Sequence, residues 1–333
     1  MNALSEVTAV AQSLKRATAW RWWEVALLVA AASSWFLLGK HSLLLNEIAI
    51  LALFAVSLDL VLGYAGIVSL GHAAFFGVGA YSAALFAKHV MPDPWVGLAL
   101  AMAISAAFGA LCSLLILRGS DLTRIMVTLG VASILYELAN KLDHITGGAD
   151  GLQGVVMAPL ITPFGSFAFD LQGRVAFGYS LTVLIVLLLI ARKLVQSPFG
   201  VSLKALRDNR LRAASIGLSV NARIAAVYTV AAALAGAAGA LTAQTSGFAS
   251  LDVLDFHRSA DVLLVLVIGG TGYLYGGIFG AIAFKLLHDW IAALTPQYWT
   301  FWIGLFLVLL MLVGRERLLK PWTWMRRNSG GQS

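Results

Sequence analysis

The sequence predicts an all-α polytopic membrane protein with about ten transmembrane segments, glycine-broken helices and one cytoplasmic helix. Three observations carry this. Of 333 residues, 60% are hydrophobic and 12% charged, with a mean hydropathy of +0.86. Soluble domains carry about 25% charged residues, so a water-soluble globule is excluded. The apolar residues fall in runs of about 20, the length a helix needs to cross a bilayer. The charges gather in a few segments between those runs, chiefly residues 192–223.

Residues 1–21 form a cytoplasmic or interfacial segment. Lys15, Arg16 and Arg21 hold it inside by the positive-inside rule. Leu4, Val7, Val10 and Leu14 offer one face for a short helix lying on the membrane surface. Basic residues before an apolar stretch imitate a signal peptide. Trp20, Trp22 and Trp23, however, resemble an interfacial aromatic anchor, and the apolar run continues past the small residues AAASS, so a retained first span is expected. Span candidates follow near 22–39, 43–62, 67–87, 94–117, 122–140, 175–195 and 222–247.

Counting from an inside N-terminus puts residues 141–174 outside, which suits Asp143, Asp150 and Asp170 set against Lys141 and Arg174. The seventh span then exits outward near 248. The basic tail 315–333, with Arg315, Arg317, Lys320, Arg326 and Arg327, belongs inside, so 249–314 must cross an odd number of times. Residues 262–290 are too long for one ordinary span and are broken by GGTGYLYGG at 269–277. One reversal there, as two short spans or a re-entrant pair, followed by a last run at 299–314, satisfies the parity. The transmembrane region therefore extends over 22–314.

Between spans lies the most basic stretch, holding Arg192, Lys193, Lys204, Arg207, Arg210, Arg212 and Arg223 with Asp208 as its single acid. That excess places it in the cytoplasm. Helical spacing after Gly200 sets Phe199, Leu203 and Leu206 on one ridge, and Gly217 is a helix stop. A plain connector needs no such ridge, so the segment reads as a docking element for a cytoplasmic partner; the plainer alternative is a basic loop on anionic headgroups.

Two glycine-rich breaks echo one another. GYAGIVSLG at 63–71 and GGTGYLYGG at 269–277 share glycines at the first, fourth and last positions, namely Gly63, Gly66 and Gly71 against Gly269, Gly272 and Gly277. The echo suggests a duplicated half. Interrupted helices often line a substrate route because their free backbone groups must face water or protein; small residues also simply permit close helix packing. Polar residues within spans are costly. Among Asn46, Glu47, Asp59, His72, Glu137, Asn140, Asp261, Lys285, His288 and Asp289, the functional candidates are Asp59, before the first break, and His72, after it. His72 suits a helix-to-helix clamp or a substrate contact.

Several classes are excluded. The chain has no G-x-x-x-x-G-K-[ST] and no G-x-S-x-G. The lone Cys112 lies in an apolar run without metal-ligand companions, so no metal, cofactor or catalytic residue is expected and the chain is not an enzyme. The net charge of +7 comes from basic clusters flanking spans, a topological signal and not a nucleic-acid surface.

GYAGIVSLGHAAFFGVGAY at 63–81, TGGADGL at 146–152, SPFGVSLKALRDNRLRAASIGLSV at 197–220, AALAGAAGAL at 232–241 and VIGGTGYLYGGIFGA at 267–281 occur in this order and spacing. Together they resemble the branched-chain amino acid permeases of ATP-binding-cassette importers, specifically the M-type membrane subunit, over residues 40–315. The resemblance implies a bacterial inner-membrane subunit with cytoplasmic termini, paired with a second homologous permease, two cytoplasmic ATPases and an extracytoplasmic solute-binding protein. It implies ATP-driven alternating access for branched-chain or related amino acids. It also makes 197–220 the segment that docks into the ATPase, with Phe199, Gly200, Leu203, Leu206, Arg207, Asp208 and Gly217 as its coupling residues. Asp59, Gly63, Gly66, Gly71, His72, Gly269, Gly272 and Gly277 are the candidates for the translocation path. Two positions depart from the pattern: Arg210 stands where relatives often have an acid, and Asp59 where the second helix often carries Asn. A permease for urea or short amides is the alternative within the family. A secondary transporter or channel, the alternative from another class, would need no docking segment and would carry paired intramembrane charges.

Overall fold

The computed structural model describes residues 21–298, apart from 38, 118, 120, 163, 164 and 171, together with Phe301, Trp302, Gly304, Leu305 and Val308. The surface helix expected at Leu4–Leu14, most of the span at 299–314 and the basic tail lie outside the described residues.

In chain order the helices are α1 (Trp22–Leu37), α2 (Ser42–Asp59), α3 (Ala73–His89), α4 (Pro94–Ile116), α5 (Asp121–Lys141), the single turn α6 (Asp143–Thr146), α7 (Arg174–Gln196), α8 (Pro198–Asp208), α9 (Arg210–Ser215), α10 (Val220–Ser246), α11 (Phe256–Gly269) and α12 (Gly276–Leu294). Among the described residues, six elements are long and apolar enough to cross a bilayer: α2 with its flanking turns over Gly39–Tyr64, then α4, α5 from Leu122, α7, α10 and α12. The expected span at 67–87 is shorter than the apolar run suggested. Residues 65–72 form no regular helix, and α3 starts at Ala73. One element that the periodicity did not foretell is a small antiparallel hairpin, β1 (Leu160–Thr162) on β2 (Gly165–Phe167), with Leu160 opposite Phe167.

Local chemistry sets the helix ends. The Asp93 carboxylate accepts from Trp95 N and Val96 N at the start of α4, where Pro94 has no N–H to satisfy. Asp255 Oδ1 accepts from His257 N at the start of α11, and Asn209 Oδ1 from Arg212 N at the start of α9. The helix expected after Gly200 is thus two helices, because Asn209 leaves helical geometry and caps a second one. Gly217 ends that second helix as expected. Its φ of +85° lets Gly217 N bond to Ala214 O and Leu218 N to Ala213 O.

The core is built around α10, whose Ala231, Ala235 and Ala238 are fully buried. Small residues let neighbouring backbones approach. A Cβ on Gly79 of α3 would overlap the backbone of Gly236, one on Gly236 would overlap Ser105 of α4, and one on Gly239 would overlap Phe76 O. The string AALAGAAGAL is therefore a close-packing surface of the small-residue kind. Gln244, at the far end of α10, donates Nε2 to Pro94 O and accepts from Tyr179 OH, so both ends of its amide find partners.

Connections sort to two ends. At one end Leu152 and Ala249 exchange backbone bonds, Ala158 N donates to Pro92 O, and Trp95 Nε1 donates to Ile161 O. At the other end Arg192 pairs with Glu24, Arg207 reaches Gly63, and Gly71 lies against Thr128. The break at 269–277 belongs to this second end and reverses the chain. Gly269 lies beside Gly276, and Val265 beside Gly280, a register that runs α11 and α12 antiparallel.

Gly236→Leu is expected to destabilise the bundle by about 1–3 kcal/mol, the usual cost of overpacking. Gly130→Ala in α5, where a Cβ meets nothing within 4 Å, is expected to be neutral or better. Thermal unfolding in detergent with tryptophan fluorescence checks both.

Candidate functional site

The site forms where the two glycine breaks and the basic segment meet. α2 does not stop at Asp59. It widens into a π turn over Leu60–Tyr64, which frees carbonyls from the ordinary ladder, and Gly66 then turns the chain with φ +68°. In the second break Gly270 and Gly272 have φ of +98° and +78°, a region that suits glycine alone among common residues. The turn so made aims Gly272 N at α2. Asp59 Oδ1 accepts it at 2.7 Å, 213 positions away in sequence. A Cβ on Gly63 would overlap both that carboxylate and Gly272 N, so this approach requires glycine.

Arg207 of α8 completes the junction. Its Nη1 donates to Gly63 O at 2.5 Å, its stem lies over Gly66, and a Cβ on Gly272 would sit 2.8 Å from the same Nη1. One turn earlier Lys204 Nζ stands 5.6 Å over the Tyr64 ring. Asp59, Gly63, Gly66, Arg207 and Gly272, which the sequence assigned to two separate roles, are thus one connected junction.

The ridge expected to dock outward is turned inward. Leu203 and Leu206 are 0% and 1% exposed, and half-buried Phe199 lies under Arg223 at 5.3 Å. The reason is the hydrophobic effect: an amphipathic helix lying across the ends of a bundle puts its apolar face on the bundle. The outward face of α8 carries Val201, Lys204 and Asp208, followed by Leu211 and Ile216 beyond the Asn209 corner. Gly200 is also a close-approach glycine, since a Cβ there would overlap Val195 O of α7.

The remaining path candidates sit apart from the junction. His72 is fully buried, with Nε2 2.9 Å from Ser57 Oγ and its ring stacked on Phe54 at 5.5 Å. Ser57 Oγ donates to Phe54 O, so it accepts from His72 Nε2–H, which fixes the tautomer. His72 therefore clamps the start of α3 to α2. Gly71 lies against Thr128 O of α5, Gly269 against Gly276, and Gly277 against Ala55 of α2.

Sequence reading missed two partners. Glu24 and Arg192 form an ion pair at 2.8 Å with side chains 7% exposed, joined by Tyr275 of the second break, whose ring meets Trp23 edge-on at 4.9 Å. The sequence offered a lone acid in the first turn of one span and a base near the end of another, with nothing to pair them. Ser259 Oγ of α11 accepts from Ala73 N and so anchors α3; nothing in a single sequence marks that serine. Among the described residues no three His, Cys, Asp or Glu side chains gather to hold a metal.

The profile of the branched-chain amino acid transport system permease component matches residues 42–313. The chain belongs to this family. The permease is 30% identical to the high-affinity branched-chain amino acid transport system permease protein LivM of Salmonella typhimurium over 318 residues, 90% of this chain and 74% of the relative. It is 29% identical, with the same coverage, to the corresponding protein of Escherichia coli. An autoinducer 2 import system permease protein, LsrC of an Enterobacter strain, is 31% identical over 257 residues, 71% of each chain. No solved structure matches the permease. All five junction residues lie inside the matched region, whereas Glu24 precedes it.

The hydrogen bond to Gly272 N needs an acceptor and not a charge. Asp59→Asn is expected to keep the permease's stability, since Asn retains the oxygen. Asp59→Leu is expected to cost about 1–3 kcal/mol by leaving a buried N–H without an acceptor. Yield and unfolding temperature in detergent distinguish the two.

Proposed function

We propose that this permease is one of two membrane subunits of an ATP-driven importer of branched-chain amino acids, working with two cytoplasmic ATPases and an extracytoplasmic solute-binding protein. The observation that carries the reading is the grip of Arg207 on Gly63 O, with Asp59 holding Gly272 N beside it. A helix whose Arg207 is bonded to the first break, which Asp59 in turn bonds to the second, moves α2, α11 and α12 when it is pushed. The outward face of α8 and α9, with Val201, Lys204, Leu211 and Ile216 exposed, is the surface an ATPase would push. Because the chain has no phosphate-binding loop of its own, the work must enter through such a contact. Alternating access then needs contacts on α8 that differ between the two ATPase states.

The membrane topology follows the same reading. Ten segments cross or enter the bilayer, the ends of the chain are cytoplasmic, and the end holding Arg192 and Arg207 faces the cytoplasm by its positive charge. The reading gains support from the sorting of connections, since the segments counted as inside touch one another and those counted as outside do likewise. Cysteines placed at Ser250 and Ser329 in a Cys112→Ser background are expected to label from outside and inside respectively. Outside labelling at both would sink the ten-segment arrangement.

Function is tested by ATP-driven uptake of labelled leucine in vesicles containing the permease with its partner subunits; uptake of urea in place of leucine would favour the amide alternative. Val201→Asp, on the outer face, is expected to leave assembly yield intact and to lower uptake at least about ten-fold by weakening the ATPase contact. Leu203→Asp is expected to lower the yield itself, because it places a carboxylate in a fully buried position. Normal uptake by the Val201 variant would remove the docking surface assigned to that face.

A further inference from the structure

On α12 and α2, a cluster of charges lies away from the junction. Lys285 Nζ is 2.6 Å from Glu47 Oε2 and 3.1 Å from Asp289 Oδ1, and His288 Nδ1 is 3.0 Å from the same Asp289 oxygen. The setting is apolar. Both helices are among those long and apolar enough to span the bilayer. At a 1.5 Å rise per residue, Lys285 lies about 14 Å along α12 from Gly276, and Glu47 about 12 Å from Gly39 at the opposite end of the bundle, so both fall within the hydrocarbon thickness.

These side chains are not sealed inside the protein. Glu47 and Asp289 are 61% and 41% exposed, and Lys285 20%. A buried pair shielded by protein would serve as a structural cross-link, whereas two half-exposed carboxylates facing hydrocarbon would carry a heavy desolvation cost. Neighbouring positions on α12 show what a lipid-facing strip looks like, with Phe279, Leu286 and Trp290 more than half exposed and apolar. The charges stand beside that strip.

We propose that Glu47, Lys285 and Asp289 form the charged wall of a water-filled passage and that a zwitterionic amino acid crosses it by exchanging ion pairs. This deepens the transport reading given above and rests on it. Two carboxylates share one ammonium at the wall. The arriving ammonium replaces Lys285 on one carboxylate while the arriving carboxylate turns to Lys285. No covalent bond changes and the number of ion pairs does not fall, so the zwitterion passes without stripping either of its charges of a partner. The amide alternative, urea, has no charges to exchange and would not need such a wall.

The test uses the full complex in vesicles with a Cys112→Ser background and a membrane-impermeant, water-soluble thiol reagent. Glu47→Cys, which leaves Lys285 paired with Asp289, is expected to react, and reaction is expected to slow in excess leucine. Leu286→Cys, one position from Lys285 and at the same depth, is expected to stay unreactive because its thiol faces lipid. Equal reaction at both sites would mean that the cluster merely sits at headgroup level, and no reaction at Glu47→Cys would mean that protein covers it; either result overturns the wall. Lys285→Met is expected to raise the KM for leucine at least about ten-fold with a smaller change in maximal rate, since the lost contact is one with substrate. An unchanged KM would overturn the exchange. Labelling is read without any transport, so a Glu47→Cys complex that labels as expected, beside a parent complex that does not move leucine, overturns the function proposed above and leaves the wall standing.

Discussion

Where a membrane helix breaks inside packed protein, it exposes N–H and C=O groups that water reaches poorly, and the protein itself must supply their partners. This permease breaks two of its membrane helices, at 63–71 and 269–277, and joins the breaks to each other. Asp59 takes the free N–H of Gly272, and Arg207 takes the free C=O of Gly63. The rest of the architecture depends on this exchange. Without it, neither the π turn after α2 nor the left-handed turn before α12 would have its polar groups satisfied.

The same exchange ties the surface helix to the membrane helices. Arg207 belongs to an amphipathic helix whose Leu203 and Leu206 are already committed to the bundle. Apolar burial holds that helix down, while a charge-assisted bond sets its register against the breaks. Burial alone would tolerate sliding; a guanidinium bonded to one carbonyl does not. Behind this junction, α10 gives a rigid backing, since its glycines and alanines bring α3 and α4 to backbone contact and leave little freedom to repack.

Much of this was legible in the sequence, and the parts that were not share a cause. The spans, the two breaks and the basic segment follow from hydropathy, glycine spacing and charge, each a property of neighbours along the chain. Gly217 was readable as a stop because a helix end is local. The face presented by α8 was not readable. Helical spacing puts Phe199, Leu203 and Leu206 on one side, yet the pattern is identical for a ridge that greets a partner and for one that seals the helix to its own bundle. His72 showed itself as a polar residue in a span but not as a partner of Ser57, and Glu24 gave no hint of Arg192, 168 positions later.

By itself, the amino-acid sequence determined the class, the clustering of the charge and the places where helices give way, because bilayer thickness and backbone satisfaction act on every segment separately. The meeting of the breaks was decided by the tertiary structure alone. Glycines can be counted along the chain, but that Gly63 needs its missing Cβ to admit the Gly272 backbone, and that Asp59 lies within reach of it, depends on where two helices cross. Such a crossing is fixed by the packing of α2, α11 and α12 as a set, and no window of sequence contains it.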